Sequence, residues 1–353
     1  MNHLDDLTTL HQLDPGGMLG HVAALPQQCR DAWAATERLE LPTRHLRANK
    51  VLIAGMGGSA IGGDLVAAVT ADRSPMPILI HRGYDLPAYV DRLTLVIASS
   101  YSGDTEETLS AFRAAHELGC PLVAVTTGGE LARLAEGWNV PTVTFGYRSQ
   151  PRAALGHSFI TLLGILRALN LVRNLAADLE EALSILDKQG HELAPDVPQA
   201  QNRAKQLAAE LVGRVPLIAG AGPLAPVARR WKTQFNENAK AWAYFEELPE
   251  MDHNALSGIE FPAAARDWLR VLLLDNAGLH PRNHLRLELT QRILEEQGVA
   301  CHQVPIQGES SLAQILSAVQ LGDYVSCYLA FLYRTDPTSI GNISRLKELM
   351  AQQ

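Results

Sequence analysis

Ser99-Ser100-Tyr101-Ser102-Gly103-Asp104-Thr105 is the stretch that decides how this chain reads. It follows a β-strand pattern, Leu93 to Ala98, and precedes a helical pattern that begins near Thr105. Hydroxyls and free backbone N–H groups therefore converge at a helix N-terminus, where an anion binds readily. A second loop of this kind lies upstream, Gly55-Met56-Gly57-Gly58-Ser59, after the strand Lys50 to Ala54. Two such loops point to one phosphate held between two strand ends, and so to a phosphorylated small molecule as ligand.

Working outward, strand-like runs cover Val51 to Ala54, Ile78 to His81, Leu93 to Ala98, Leu122 to Val125 and Thr142 to Phe145. Helical runs cover Ala60 to Ala71, Thr105 to Leu118 and Leu131 to Gly137. This alternation predicts an α/β fold with a doubly wound parallel sheet covered on both faces. A long helical stretch follows, Ala153 to Val212, and the alternation then returns. Its runs are Val215 to Ala219, Ala225 to Ala239, Leu269 to Leu274, Leu285 to Gln297, His302 to Pro305 and Leu312 to Leu332. Gly220-Ala221-Gly222 echoes Gly55-Met56-Gly57, which reads as a diverged duplication. The second copy has Pro223-Leu224 in place of Gly58-Ser59, so phosphate is expected in the first half. The expected organisation is a helical segment over 1–45, a phosphate-binding domain over 46–172 and a second α/β domain over 173–353.

At 353 residues, with 47% apolar and 19% charged residues, the composition is that of a globular protein with two cores. A net charge of −8 without a Lys/Arg-rich run argues against nucleic acid and acidic membranes as partners. Cys29, Cys120, Cys301 and Cys327 show no C-x-x-C spacing, so neither disulfides nor a zinc site is expected, as suits a reducing cytoplasm. Asp5 and Asp6 near the start argue against a signal peptide, and no apolar run reads as long enough to span a bilayer.

Other readings compete at each motif. Gly55-x-Gly57-x-x-Ala60 also fits a dinucleotide fingerprint, but that strand pair ends in His81-Arg82, which leaves only an NADP version. Thr105 is a good N-cap, and Glu106 and Glu107 suit the positive end of the helix dipole, so plain capping competes with phosphate binding. In the second half, Asn236-Glu237-Asn238-Ala239-Lys240 ends an amphipathic helix and reads first as an i,i+3 surface ion pair between Glu237 and Lys240. The acidic run Glu246 to Asn254, with His253 inside it, is unlike a core strand or a regular helix. Asp336-Pro337-Thr338 restarts a helix that carries Lys347.

Taken together, these stretches resemble a family. Gly55 to Asp64 and Ser100 to Thr108 resemble the sugar isomerase (SIS) domain. With Pro151-Arg152-Ala153-Ala154-Leu155-Gly156, Asn236 to Lys240 and Met251-Asp252-His253-Asn254, the whole chain resembles the bifunctional phosphoglucose/phosphomannose isomerases. Asp104 stands where that family usually has Asn and adds negative charge beside the expected phosphate.

The resemblance implies two SIS-type domains and a metal-independent, cofactor-free aldose–ketose isomerase. It would interconvert glucose 6-phosphate or mannose 6-phosphate with fructose 6-phosphate. Gly57, Gly58, Ser59, Ser100, Ser102 and Thr105 would bind the substrate. Glu237 would be the base that moves the proton between C1 and C2. Arg152 would stabilise the enediolate, and His253 with Lys347 would open the ring. The resemblance also implies a homodimer with a shared active site, one subunit lending its histidine to the other. Two alternatives stand beside it: a non-catalytic sugar-phosphate-binding SIS protein, and an NADP-dependent oxidoreductase built on the Gly55 loop and Arg82.

Overall fold

The computed structural model describes residues 3–173, 175–350 and 352. Two compact units divide the chain: Ala24–Leu183, and Met1–Ala23 together with Ser184–Gln353. The expected borders fell at 45/46 and 172/173. The first helices group with the C-terminal half because helix Met18–Ala23 packs there and Gly16 abuts Thr338.

In the unit Ala24–Leu183, the strands are β1 (Lys50–Ala54), β2 (Ile78–His81), β3 (Thr94–Ser100), β4 (Leu122–Thr126) and β5 (Thr142–Thr144). They form one parallel sheet in the order β2-β1-β3-β4-β5. The apolar runs that make β3 and β4 are buried along their whole length, as parallel strands with helices on both faces must be. Leu52, Val96, Phe112, Leu122 and Leu131 belong to one side's core. The helices that position the site are α1 (Gly57–Thr70), α2 (Glu106–Leu118), α3 (Gly129–Gly137) and α4 (Leu155–Ala168). α4 lies close to helix Leu25–Thr36; a side-chain carbon on Gly164 would come within 2.0 Å of the Thr36 hydroxyl.

The other unit carries β6 (Val215–Ala221), β7 (Tyr244–Leu248), β8 (Leu269–Asp275) and β9 (Cys301–Pro305), all parallel in the order β7-β6-β8-β9. That order repeats β2-β1-β3-β4, so the echo between the two glycine loops extends to topology. β7 is a strand that the acidic run had hidden. It lies at the sheet edge, so Glu246 and Glu247 keep access to solvent while Leu248 turns into the core.

The helices of this unit include α5 (Ala225–Glu237), α6 (Pro281–Glu296), α7 (Ser311–Leu332) and α8 (Gly341–Met350). α7 corrects the expectation about apolar runs. By length and composition it could cross a membrane, yet every residue from Leu312 to Phe331 is buried within the protein. Its buried polar side chains have internal partners: Gln320 binds Gln189, Asp323 binds Arg230, and Ser326 accepts from Asn238.

Candidate active site

The chain leaves β1 toward β2 and leaves β3 toward β4, on opposite flanks. The β1 and β3 ends, in register at Ala54 and Ala98, therefore flank a topological switch point. Both hydroxyl-rich loops open there. In the first, Gly55 has no room for a side chain, since an added carbon would meet Ser99 O at 2.8 Å. Met56 begins α1 without a side-chain cap, and Gly57 takes φ +49°. Ser59 is buried in the first turn. The Ser59 N–H already donates to Met56 O at 3.0 Å, so what the start of α1 offers a ligand is its dipole and the amides before Ser59.

In the second loop, Thr105 holds the N-cap position of α2 but makes no side-chain cap. Its hydroxyl lies 2.9 Å from that of Ser100, which also accepts the Gly103 N–H at 3.1 Å. The Ser102 hydroxyl accepts the Asp104 N–H at 3.2 Å. Gly103, at φ +78°, fits under Gly128, whose carbonyl would stand 1.9 Å from any side-chain carbon there. The Asp104 carboxylate is drawn to the start of α3, where Oδ1 accepts the Glu130 N–H at 2.9 Å. The charge that set this loop apart therefore caps a neighbouring helix.

Arg152 belongs to the same unit. It sits in the 3₁₀ turn Pro151–Ala154 and is 2% exposed. The turn packs on the first loop: a side-chain carbon on Gly58 would lie 3.1 Å from Pro151 O and 3.3 Å from Arg152 N. Gln28 holds the turn from behind, donating to Ala153 O at 2.8 Å and accepting the Gly156 N–H at 3.1 Å. Nothing in the sequence singled out Gln28. His157, stacked on Phe145 at 5.0 Å, has its pKa lowered by burial. Gly57, Gly58, Ser59, Ser100, Ser102, Thr105 and Arg152 are thus gathered in one unit by two strand ends and one turn.

Arg82, the residue the NADP reading needs, is paired with the Asp64 carboxylate. A cavity lined by Asp72, Arg73, Ser74, Asn170, Arg173 and Asp178 contains none of the candidate residues, and its Arg73 is tied to Asp178.

Glu237, His253 and Lys347 lie in the other unit, on three separate elements. Glu237 is the last residue of α5 and half-buried. α5 is locked on α7: Trp231 donates to Ala318 O at 2.8 Å and fills the space left by Gly322. The neighbouring amides are used structurally. Asn236 donates to Ala241 O, and the buried Asn238 donates to Ser326 Oγ at 2.9 Å. Lys240, at φ +54°, donates to Asn238 O at 3.1 Å and to Asp336 O, which ties the end of α5 to the tail.

His253 is exposed at the end of the 3₁₀ turn Glu250–His253. Asp252 fixes that turn, accepting from Arg286 Nη1 and Thr290 Oγ1, each at 2.9 Å. The Glu246 carboxyl is pushed up by burial, helped by Glu247 and Glu250. Lys347 lies on α8, none of whose residues is buried.

A family model described as the bacterial phospho-glucose isomerase C-terminal SIS domain matches residues 200–350. A bifunctional phosphoglucose/phosphomannose isomerase of Caldicellulosiruptor bescii is 40% identical, across 95% of this chain and 99% of that one. The chain belongs to the bifunctional phosphoglucose/phosphomannose isomerase family. Another bifunctional phosphoglucose/phosphomannose isomerase, from Aquifex aeolicus, is 36% identical over 84% of this chain and 89% of its own. The fold is that of a hypothetical protein of Thermus thermophilus, with a TM-score of 0.74 at 17% identity, over 98% of this chain and 94% of that one. Both sheets of this bifunctional phosphoglucose/phosphomannose isomerase family member are of the SIS type expected from its loops.

Proposed function

We infer that this protein is an aldose–ketose isomerase that interconverts glucose 6-phosphate and mannose 6-phosphate with fructose 6-phosphate. The observation that carries the reading is the packing of Gly58 on Pro151 and Arg152. It brings the Arg152 backbone against the first hydroxyl-rich loop at a helix start, which supports pairing an arginine with a phosphorylated substrate that develops negative charge.

In this reading the starts of α1 and α2, with Ser59, Ser100, Ser102 and Thr105, hold the phosphate. Between them Ser100 and Thr105 own two hydroxyl protons. One is shared in their mutual hydrogen bond and the other is left for an anion. Glu237 takes the proton from C2 and returns it to C1 through a cis-enediol. Arg152 meets the enediolate charge. His253 and Lys347 move the proton between ring oxygen and anomeric hydroxyl. The exposed His253 suits delivery to a second subunit, so the working form in this proposal is a cytoplasmic homodimer with a shared site.

The test is formation of fructose 6-phosphate from each aldose phosphate, without nicotinamide. Both aldoses turning over supports the reading. Binding of the sugar phosphate without turnover would replace it with a binding protein, and nicotinamide reduction would replace it with an oxidoreductase. The Arg82–Asp64 pair disfavours the last.

A further inference from the structure

We propose that Tyr101 is a positioning residue that couples the phosphate loop to the turn carrying Arg152. The proposal rests on the functional reading above for what that coupling serves. Tyr101 lies between Ser100 and Ser102, and its backbone and its side chain reach two different segments. Its carbonyl accepts the Thr127 N–H at 3.1 Å and the Thr127 hydroxyl at 2.7 Å, anchoring the loop to the end of β4. Its phenol accepts the Ser149 N–H at 2.8 Å and donates to Tyr147 O. The ring lies 6.1 Å from that of Phe145.

The segment from Tyr147 to Gly156 is therefore held at both ends. Gln28 holds Ala153 and Gly156, after Arg152, and also donates to the Tyr147 hydroxyl at 3.1 Å, while Tyr101 holds the main chain before Arg152 at Tyr147 and Ser149. Only the second hold comes from the hydroxyl-rich loop. Phosphate that draws Ser100 and Ser102 inward pulls Tyr101 with them, and Tyr101 pulls the main chain leading to Arg152. A fixed guanidinium lowers the barrier only where the enediolate charge appears, and small misplacements there are costly. A phenylalanine has the same ring and neither hydrogen bond.

The experiment uses the full chain and compares wild type, Tyr101→Phe, Arg152→Ala and the double variant. Tyr101→Phe should lower kcat about tenfold and leave KM within about twofold, because the phosphate ligands themselves are untouched. In the Arg152→Ala background the same change should cost less than about twofold, since the residue it acts through is gone. Hydrogen exchange with saturating inorganic phosphate gives a readout independent of turnover. Phosphate should slow exchange of the Ser149 and Ala153 amides in wild type, and not in Tyr101→Phe. Thr127→Val, which loosens Tyr101 from its backbone side, should weaken the same protection and serves if Tyr101→Phe folds poorly.

Unchanged kcat in Tyr101→Phe alongside a slow Arg152→Ala would overturn the coupling, as would fully additive losses. So would phosphate protection that survives in Tyr101→Phe, or that is absent in wild type. A wild-type chain with no isomerase activity would overturn the functional reading instead, and the exchange measurement would still decide the coupling.

Discussion

The Thr105 hydroxyl lies 2.9 Å from the hydroxyl of Ser100 and makes no bond to the amides of the helix it begins. A threonine in this position usually caps its helix and closes the N-terminus to ligands. Here the pairing turns both hydroxyls to one another across the loop and leaves the first turn of α2 uncapped by its own threonine.

Loss of this pair should be felt as loss of substrate. Ser100→Ala combined with Thr105→Val should raise KM for glucose 6-phosphate by about 10- to 100-fold, since the pair has one hydroxyl proton left for the phosphate and such a hydrogen bond to a charged group is worth about 1.5–3 kcal/mol. Thr105→Val alone should leave the melting temperature nearly unchanged, because Thr105 does not cap α2, whereas Ser100→Ala also removes the acceptor of the buried Gly103 N–H and should lower it. A wild-type KM with a large drop in melting temperature would return both residues to a purely structural role.

Glu237→Gln keeps size and polarity and cannot accept a proton. We expect kcat to fall by roughly 10²–10⁴-fold with KM nearly constant. Exchange of the substrate's C2 hydrogen with solvent deuterium should stop as well, which reports on proton removal even where no product forms. Exchange at the wild-type rate would exclude Glu237 and turn attention to Glu246, whose carboxyl burial already pushes up.

If one subunit's histidine serves the other's base, inactive His253→Ala and Glu237→Gln chains should regain partial activity when mixed and allowed to exchange. Some mixed dimers then hold one intact site. Failure to recover after subunit exchange has been verified would place the whole site within a single chain.

Asp252→Ala should release the turn that presents His253, because Arg286 and Thr290 both hold that carboxylate. The expected result is a lower kcat and a stability loss of about 1–3 kcal/mol, read by urea unfolding. Normal kcat at reduced stability would show that His253 needs no such support.

Alkaline pH should weaken the fold partly through Cys29. Burial pushes this thiol up to about 12, whereas an unfolded thiol ionises near ~8.5. Between those values the unfolded chain has lost a proton that the folded chain keeps. Stability is therefore full below pH ~8.5 and falls above it, by about 1.4 kcal/mol per pH unit for this group. Urea midpoints at pH 8 and pH 10 should differ less in Cys29→Ala than in wild type. Equal differences would mean that the thiol is not protected.

The parallel α/β class and the places of the glycine loops, at the ends of β1 and β6, could be read from the amino-acid order alone. These features are local. Buried parallel strands read as unbroken apolar runs, and tight turns into helices need glycine at set positions. The positions of Ser100, Ser102 and Thr105 before one helix, and of Gly57 to Ser59 at the start of another, were legible for the same reason.

Where their bonds go depends on the packed chain. Thr105 turned to Ser100, Asp104 to Glu130, Arg82 to Asp64 and Lys240 to the carbonyls of Asn238 and Asp336. The acidic run became the edge strand β7, and Gly16 met Thr338 from the far end of the chain. A hydrogen-bonding group takes whichever partner the packed chain brings within 3 Å, and for most of these residues that partner is remote in sequence or lies beyond a turn. Composition and periodicity carry no record of such distances, so the fold was readable residue by residue and the wiring of the site was not.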